Sequence, residues 1–396
     1  MFSSLLRLWT GPLPHQELFP SRQTNPLIHW FFHPVKRWLA KFWLLFLQKN
    51  FGLKVIAITG SVGKTTTKDM LYSILSLVSP TVATQKNITP TYSIPTAILH
   101  CRPSTRFIIL EMGVEYPGDM LFYTWLARPN LGILTSINLT HTQFFGTLER
   151  LAVEKIKLLT SSETAIINSD DPNIKIDFPA YKFGTSHDSF TKIVSSVITP
   201  ELQTNIQLQV NSQELSSSLP SPGSHLAIPA AAAATAAFLV HVPVQIIARG
   251  LDEFTPLPHR LKPVSLSNGA LILDDTYNAS PMAVTAALNT LKEVCRLTKR
   301  EPVFVFGQMN ELGKYEKDAH EEVGLEIRKL EIRNLFCVGP ATKFTIKSAG
   351  FGNYFENQED LRKAIIPYLS SKYCVLIKSS RSWELDKMVT QLSSPN

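Results

Sequence analysis

The sequence predicts an α/β protein: a central P-loop-type parallel-sheet domain, a Rossmann-like C-terminal α/β domain and a short helical N-terminal segment. Three observations predict it. From Lys54 onward, short apolar runs alternate with helix-like stretches, as expected for strands covered on both faces of a mostly parallel sheet. A glycine-rich loop ending in Lys64-Thr65 joins the first such run to the first helix. The alternation pauses at a Pro-containing hinge, Thr255-Pro-Leu-Pro-His-Arg260, and then restarts. The expected units are therefore 1–50, 51–255 and 256–396.

Composition bounds this reading. The 396 residues suffice for two or three domains with large cores. Apolar residues make up 44% and charged residues 18%, and mean hydropathy is near zero. A disordered chain and a polytopic membrane protein are excluded. Cys101, Cys295, Cys337 and Cys374 stand far apart without a Cys-x-x-Cys pair. That spacing argues against a cysteine zinc site and for reduced, buried thiols in a cytoplasmic protein.

The first fifty residues differ from the rest. They hold six basic residues against one acid, Glu17, and four of the six tryptophans. Of the net charge of +7, this segment carries +5, so the body is nearly neutral and no nucleic acid partner is expected. The run from Trp38 to Gln48 reads as a helix too short and too charged to span a bilayer. Two readings stand for it. One is an interfacial helix making peripheral contact with an anionic membrane. The other is a helix packed on the protein's own body.

Taken in order, Lys54–Thr59, Phe107–Leu110, Leu131–Leu134 and Thr164–Ile167 are expected strands of the central domain. Helices are expected over Thr65–Leu77 and Leu148–Leu159. Residues 185–222, rich in Ser and Thr, suggest small antiparallel strands and loops. Ala230–Leu239 is an alanine-rich helix suited to a buried setting. In the last domain, Ala270–Leu273, Val303–Phe306, Leu335–Val338 and Tyr373–Ile377 are expected strands, and Trp383–Gln391 the final helix.

The strongest chemical signal is Thr59-Gly-Ser-Val-Gly-Lys-Thr-Thr66. Gly60 and Gly63 let the backbone N–H groups of Gly60, Ser61, Gly63 and Thr66 turn towards an anion at a helix N-terminus. Lys64 would reach the β/γ-phosphates of a nucleotide, and the Thr65 hydroxyl would hold Mg²⁺. The full pattern has glycine where this chain has Ile58, so the loop is the short form. Glu111 ends the strand Phe107–Leu110 at the sheet edge where ligands bind, placed to hold Mg²⁺. Read alone, His141 is a hydrogen-bonded loop histidine and Lys155 a solvated helix lysine beside Lys157. Asp274 and Asp275 end a strand, pointing to opposite faces; one can face an interdomain cleft, or both can be ordinary caps. Lys378 and Arg381 put two cations at the end of the last strand, suited to an anionic substrate.

These residues together resemble the Mur ligase family, the ATP-dependent amino-acid-adding enzymes of peptidoglycan precursor synthesis, and within it the branch that adds D-alanyl-D-alanine. The likeness rests on the phosphate loop, Glu111-Met-Gly113, His141 with Phe145-Gly146, and Gly223-Ser-His225. It continues through His259-Arg260, Asp274-Asp-Thr-Tyr-Asn-Ala-Ser-Pro281, Gly307-Gln-Met-Asn-Glu-Leu-Gly313, His320 and Lys378-Ser-Ser-Arg381. It implies an ADP-forming amide ligase using ATP and Mg²⁺, working through an acyl phosphate. Lys64, His141 and Lys155 would be catalytic. Thr65 and Glu111 would hold one Mg²⁺, and His141 with a carbamylated Lys155 a second. Arg260, Asp275 and Asn278 would approach ATP, and Lys378 and Arg381 the substrate.

The departures from the family carry expectations too. Leu226 and Pro229 stand where the family has adenine-holding asparagines, Thr89 where a second Asn is usual, Lys157 and Gln308 where acids are usual, and Ser379 for a glycine. The family normally begins with a UDP-binding domain of about a hundred residues, whereas about fifty precede the phosphate-loop strand here. A different or lipid-linked acceptor, weaker UDP contacts, or a partner chain replacing that domain would follow. The expected substrates are a peptidoglycan-type precursor and D-Ala-D-Ala, and the expected location is the cytoplasm or the inner face of the plasma membrane. The alternatives are a ligase on another carboxylate, such as a polyglutamate or cell-surface peptide, and a non-catalytic, membrane-attached nucleotide-binding scaffold.

Overall fold

A computed structural model describes residues 31–84 and 89–393. Arg7, Trp9, Glu17, Arg22 and Trp30 of the front segment, and Asn87 of the loop before Thr89, lie outside the described residues.

The chain builds two sheets in succession. The first uses β1 (Lys54–Thr59), β2 (Thr81–Ala83), β3 (Phe107–Glu111), β4 (Leu131–Leu134), β5 (Thr164–Asn168), β6 (Tyr181–Gly184), β7 (Thr191–Ile198), β8 (Thr204–Val210) and β9 (Gln213–Leu219). Their order is β2-β3-β1-β4-β5-β6-β7-β8-β9, parallel from β2 to β7 and antiparallel thereafter. The Ser/Thr-rich stretch thus forms two hairpins that extend the same sheet. Burial follows the covering layers. In β1 every residue after Lys54 is buried, because helices cover both faces. In β8 burial strictly alternates, because only one face meets the body.

On one face, Ile56, Ile58, Ile109 and Ile133 pack under the helices Lys64–Ser76, Ala227–Leu239 and Val244–Asp252. Seven alanines of the middle helix, Ala230 to Ala234, Ala236 and Ala237, are fully buried, which lets the helix lie close over the sheet and against its neighbour Lys64–Ser76. On the other face, Val55, Ala57, Ile108 and Leu110 pack under Pro90–His100, Asp119–Leu126 and the helix His33–Phe51.

That last helix starts with Pro34 in its first turn and ends at Gly52, whose left-handed φ of 68° lets its N–H turn back to the Leu47 carbonyl. Ala40, Leu44 and Leu47 are buried on the body. Lys36 donates to Thr96 Oγ1 at 2.7 Å, Trp43 Nε1 to the Cys101 carbonyl at 3.0 Å, and Lys41 Nζ sits 4.0 Å from the Trp125 ring centroid. The opposite face is solvent-exposed.

The second sheet comprises β10 (Lys262–Ser265), β11 (Leu271–Asp275), β12 (Glu301–Gly307), β13 (Asn334–Val338), β14 (Asn353–Phe355) and β15 (Tyr373–Lys378), in the order β10-β11-β15-β12-β13-β14. All neighbours are parallel except β10 and β11. The final helix differs from the expected Trp383–Gln391. A 3₁₀ turn at Arg381–Trp383 is followed by Glu384 in the left-handed region at φ 45°, which breaks the run before the helix Leu385–Ser393. The four cysteines are free and buried.

Candidate active site

The carboxyl ends of β1, β3 and β4 open on a cleft of about 790 Å³ between the two sheets, lined from both. The loop after β1 is clasped by the end of β4. Thr135 Oγ1 donates to the Val62 carbonyl at 2.6 Å, Val62 N–H donates to Ser136 Oγ at 2.9 Å, and Ser61 N–H to the Ser136 carbonyl at 2.8 Å. The clasp explains the glycine at position 60. A Cβ there would lie 2.0 Å from Thr135 Oγ1, and its φ is 149°. A loop held this way keeps its amides turned around an open centre, as a phosphate cradle requires.

Two amines converge on that loop. Lys64 Nζ donates to the Gly60 carbonyl at 2.8 Å, and Lys155 Nζ donates to the same oxygen at 3.1 Å. Lys155 comes from the helix Leu148–Ser161 and is 1% exposed. Burial, and then the nearby Lys64 charge, hold its pKa well below the usual lysine value. Burial also lowers Lys64, against the opposing pull of Glu111. The sequence reading of Lys155 alone as a solvated lysine is corrected: its side chain runs inward to the loop. Lys157 is the half-exposed one and pairs with Glu154 at 2.7 Å.

Thr65 Oγ1 donates to Glu111 Oε1 at 2.9 Å, so a hydroxyl and a carboxylate share one point beside the loop. Both are hard oxygen donors, the set Mg²⁺ takes together with nucleotide phosphates, and the residues fit that ion. Among the described residues no three His, Cys, Asp or Glu side chains form a cage of their own, so phosphate oxygens and water would complete the shell. Lys68 lies 3.5 Å from the other Glu111 oxygen and is 1% exposed.

The second domain reaches in at several points. Arg260 Nη2 donates to Thr65 Oγ1 at 3.3 Å, and its guanidinium lies 4.3 Å from the Tyr277 ring centroid. Arg381 lies 5.5 Å from the same ring. His141, in left-handed backbone at φ 56°, places Nδ1 2.5 Å from Glu311 Oε2. Lys378 is not a free cation: it pairs with Asp275 Oδ2 at 2.5 Å and donates to the Asn278 carbonyl at 3.0 Å. Asp274 accepts from Thr276 and holds His259 Nδ1 at 2.7 Å, fixing the hinge. Asp275, Asn278, Lys378 and Arg381 all line the cleft, with Gly63, Thr66 and His225. Leu226, Ile228 and Pro229 form an apolar stretch of its wall.

Sequence reasoning missed Thr135, Ser136, Lys68, Tyr277 and Glu311 as site residues. Glu311 and Tyr277 lay inside strings already singled out. Thr135 and Ser136 follow a strand paired with β1, so strand order was the only signal for them.

Fold and site define a two-domain, phosphate-loop α/β enzyme whose nucleotide cleft is shared between the domains. The Mur ligase middle domain family matches residues 58–237, and the Mur ligase, glutamate ligase domain family matches residues 259–381. A UDP-N-acetylmuramoyl-tripeptide–D-alanyl-D-alanine ligase of Buchnera aphidicola subsp. Baizongia pistaciae is 31% identical over 349 residues, 85% of this chain and 75% of its own. The Escherichia coli (strain K12) protein of the same name is 27% identical over 350 residues, 86% and 76% of the two chains. The crystal structure of MurF ligase from Thermotoga maritima in complex with ADP superposes with a TM-score of 0.81 at 25% identity, covering 91% of this chain and 83% of that one. The chain belongs to the Mur ligase family.

Proposed function

We infer that the protein is an ADP-forming amide ligase that adds D-Ala-D-Ala to a UDP-MurNAc-tripeptide-like acceptor in peptidoglycan precursor synthesis. The observation that carries this reading is the Thr65–Glu111 pair beside a clasped phosphate loop, met from the second domain by Arg260. The names of the curated relatives support the choice of substrates. In this reading the central domain, 51–255, binds the nucleotide, and the C-terminal domain, 256–396, closes over it.

The substrate carboxylate attacks the γ-phosphorus of ATP, giving an acyl phosphate and ADP. The amine of the dipeptide then attacks the acyl carbon, and phosphate leaves as the amide forms. Little covalent work falls to the protein. Lys64 and the loop amides of Gly60, Ser61, Gly63 and Thr66 offset the charge on the transferring group, and Arg260 adds a cation from the other domain. Lys378, neutralised by Asp275, positions that wall and leaves Arg381 as the exposed cation for an anionic acceptor. Asn278 lies beside it at the cleft rim. Closure excludes the water that would hydrolyse the acyl phosphate.

Thr65 and Glu111 would hold one Mg²⁺, and His141 with Lys155 as its carbamate would serve a second. Bound Mg²⁺ supplies charge neutralisation at the phosphates. A carbamate forms when a neutral amine attacks CO₂ and releases a proton. Burial, and then the nearby Lys64 charge, lower the Lys155 pKa and so favour that neutral form. ATP dependence places the reaction in the cytoplasm.

The test is phosphate release from ATP and Mg²⁺ with UDP-MurNAc-tripeptide and D-Ala-D-Ala, alone and together. Release requiring both, with a pentapeptide product by mass and a loss of about a thousandfold in Lys64→Ala, is expected. ATP binding without product from this pair would overturn the assignment of the acceptor.

A further inference from the structure

We propose that the exposed face of the helix His33–Phe51 docks the protein on an anionic lipid bilayer. The helix has two apolar faces. One, through Ala40, Leu44 and Leu47, is buried against the central domain. The other carries Val35, Leu39, Phe42 and Phe46 at i, i+4, i+7 and i+11, one stripe along a 3.6-residue helix. Leu39 is 57% exposed and Phe42 60% exposed. Phe31, Phe32 and Leu45 widen the stripe, and the two helices beneath add exposed Leu99 and Leu121. Half of the large exposed apolar side chains among the described residues therefore belong to these three packed helices and the turn that leads into them. Scattered exposed apolar residues are ordinary, but a contiguous patch is not.

Charge identifies the occupant. The docking helix His33–Phe51 holds Lys36, Arg37, Lys41 and Lys49 and no acid, and its neighbour Pro90–His100 holds no acid either. Lys36 and Lys41 sit on either flank of the stripe, and Lys49 continues it at the C-terminal end. A second copy of the chain docking through this face would press like charges together. Anionic headgroups would meet only cations, while Phe and Leu enter the acyl boundary. No helix of the described residues is long and apolar enough to cross the membrane, so the mode is a helix lying in the interface. Because its other face is already packed, this helix pays no ordering cost when it binds, unlike a segment that folds on the lipid.

The inference does not depend on the ligase reading. The test is flotation of the full chain with phosphatidylglycerol/phosphatidylethanolamine vesicles and with phosphatidylcholine vesicles. Wild type is compared with the triple variant Leu39→Ser/Phe42→Ser/Phe46→Ser. These side chains are exposed, so the variant keeps its fold, checked by an unchanged melting temperature. The wild type is expected to float with anionic vesicles, less so at high salt, and the triple variant to show about a tenfold lower bound fraction. An absence of flotation, or equal flotation of the two proteins, would overturn the proposal. So would a wild-type dimer in sedimentation that the triple variant disperses. Phosphate release in solution, read in parallel, is expected to be equal in both proteins. Its failure would count against the ligase and leave the docking result standing.

Discussion

At Lys155 burial and chemistry pull in opposite directions. A lysine 1% exposed, donating to one carbonyl and facing a second lysine, is costly to protonate. Its folded pKa lies below the unfolded value of 10.5. The unfolded chain therefore binds the extra proton between those two values, and stability rises with pH across that window. Lys155→Met should flatten this rise. Urea unfolding at a series of alkaline pH values should show the wild type gaining on the variant, while phosphate release by the variant is lost. A parallel pH dependence in the two proteins would show that Lys155 is charged in the folded state. A second prediction belongs to the cleft wall. Leu226, Ile228 and Pro229 present no side-chain amide there to a purine edge. Without such a partner a site rejects the wrong base weakly. GTP should replace ATP with a loss in kcat/KM of about tenfold or less, measured by phosphate release. A loss of a thousandfold would mean that backbone groups read the base. The phosphate loop was legible in the sequence because its parts are contiguous. Lys155 was legible only through the family resemblance, because a helix lysine read alone reveals its direction only when the neighbouring strand is placed.

At the scale of elements, β1, β3, β4, β5, β11, β12, β13 and β15 were legible from their apolar runs, since a strand covered on both faces has no polar phase to disguise it, whereas the short strands β2, β6, β10 and β14 were not. The hairpins of β7 to β9 were harder to read. Their Ser-rich outer faces look like loop, and only the inward-pointing Ile206, Leu208 and Val210 mark the pattern. Close helix packing was half legible. The alanines of Ala227–Leu239 announce a tight fit, but Gly250 does not, because its neighbour is 176 residues away in sequence. A Cβ at Gly250 would lie 2.5 Å from Ile74 Cα and 2.9 Å from Ile74 N. Backbone cannot yield as a side-chain tip can. Gly250→Ala should therefore destabilise the protein by about 2 to 3 kcal/mol, despite the usual gain of alanine over glycine in a helix. Thermal melting would check it. An unchanged or raised melting temperature would mean that the helix Val244–Asp252 shifts freely on its neighbour.

For the whole molecule, the decisive geometry is the meeting of the two domains, which no local pattern encodes. Three contacts tie the turn after β12 to the turn after β4. His141 Nδ1 stands 2.5 Å from Glu311 Oε2, Gln143 N–H donates to the Glu311 carbonyl at 3.1 Å, and Thr142 Oγ1 donates to the Leu312 carbonyl at 3.0 Å. His141 and Glu311 both occupy left-handed backbone, at φ 56° and 63°, a conformation that costs energy in a residue with a Cβ. At Gly313, at φ 58°, a Cβ would lie 3.0 Å from Gln143 Cα, a tight contact in a backbone conformation that favours glycine. These turns fit against each other, and the His141–Glu311 contact is expected to help hold them together. The same histidine is proposed to serve a second Mg²⁺, and release from Glu311 is then a step that substrate binding must accompany. Glu311→Ala removes the carboxylate without touching the phosphate loop. The nucleotide-free variant should populate an open arrangement, visible as a larger radius of gyration in X-ray scattering. Phosphate release should fall by about tenfold, mostly through a raised KM for ATP, since closure completes the nucleotide site from the second domain. An unchanged radius together with unchanged KM would show that the contacts of Gln143 and Thr142 suffice to close the molecule and that the His141–Glu311 contact is incidental.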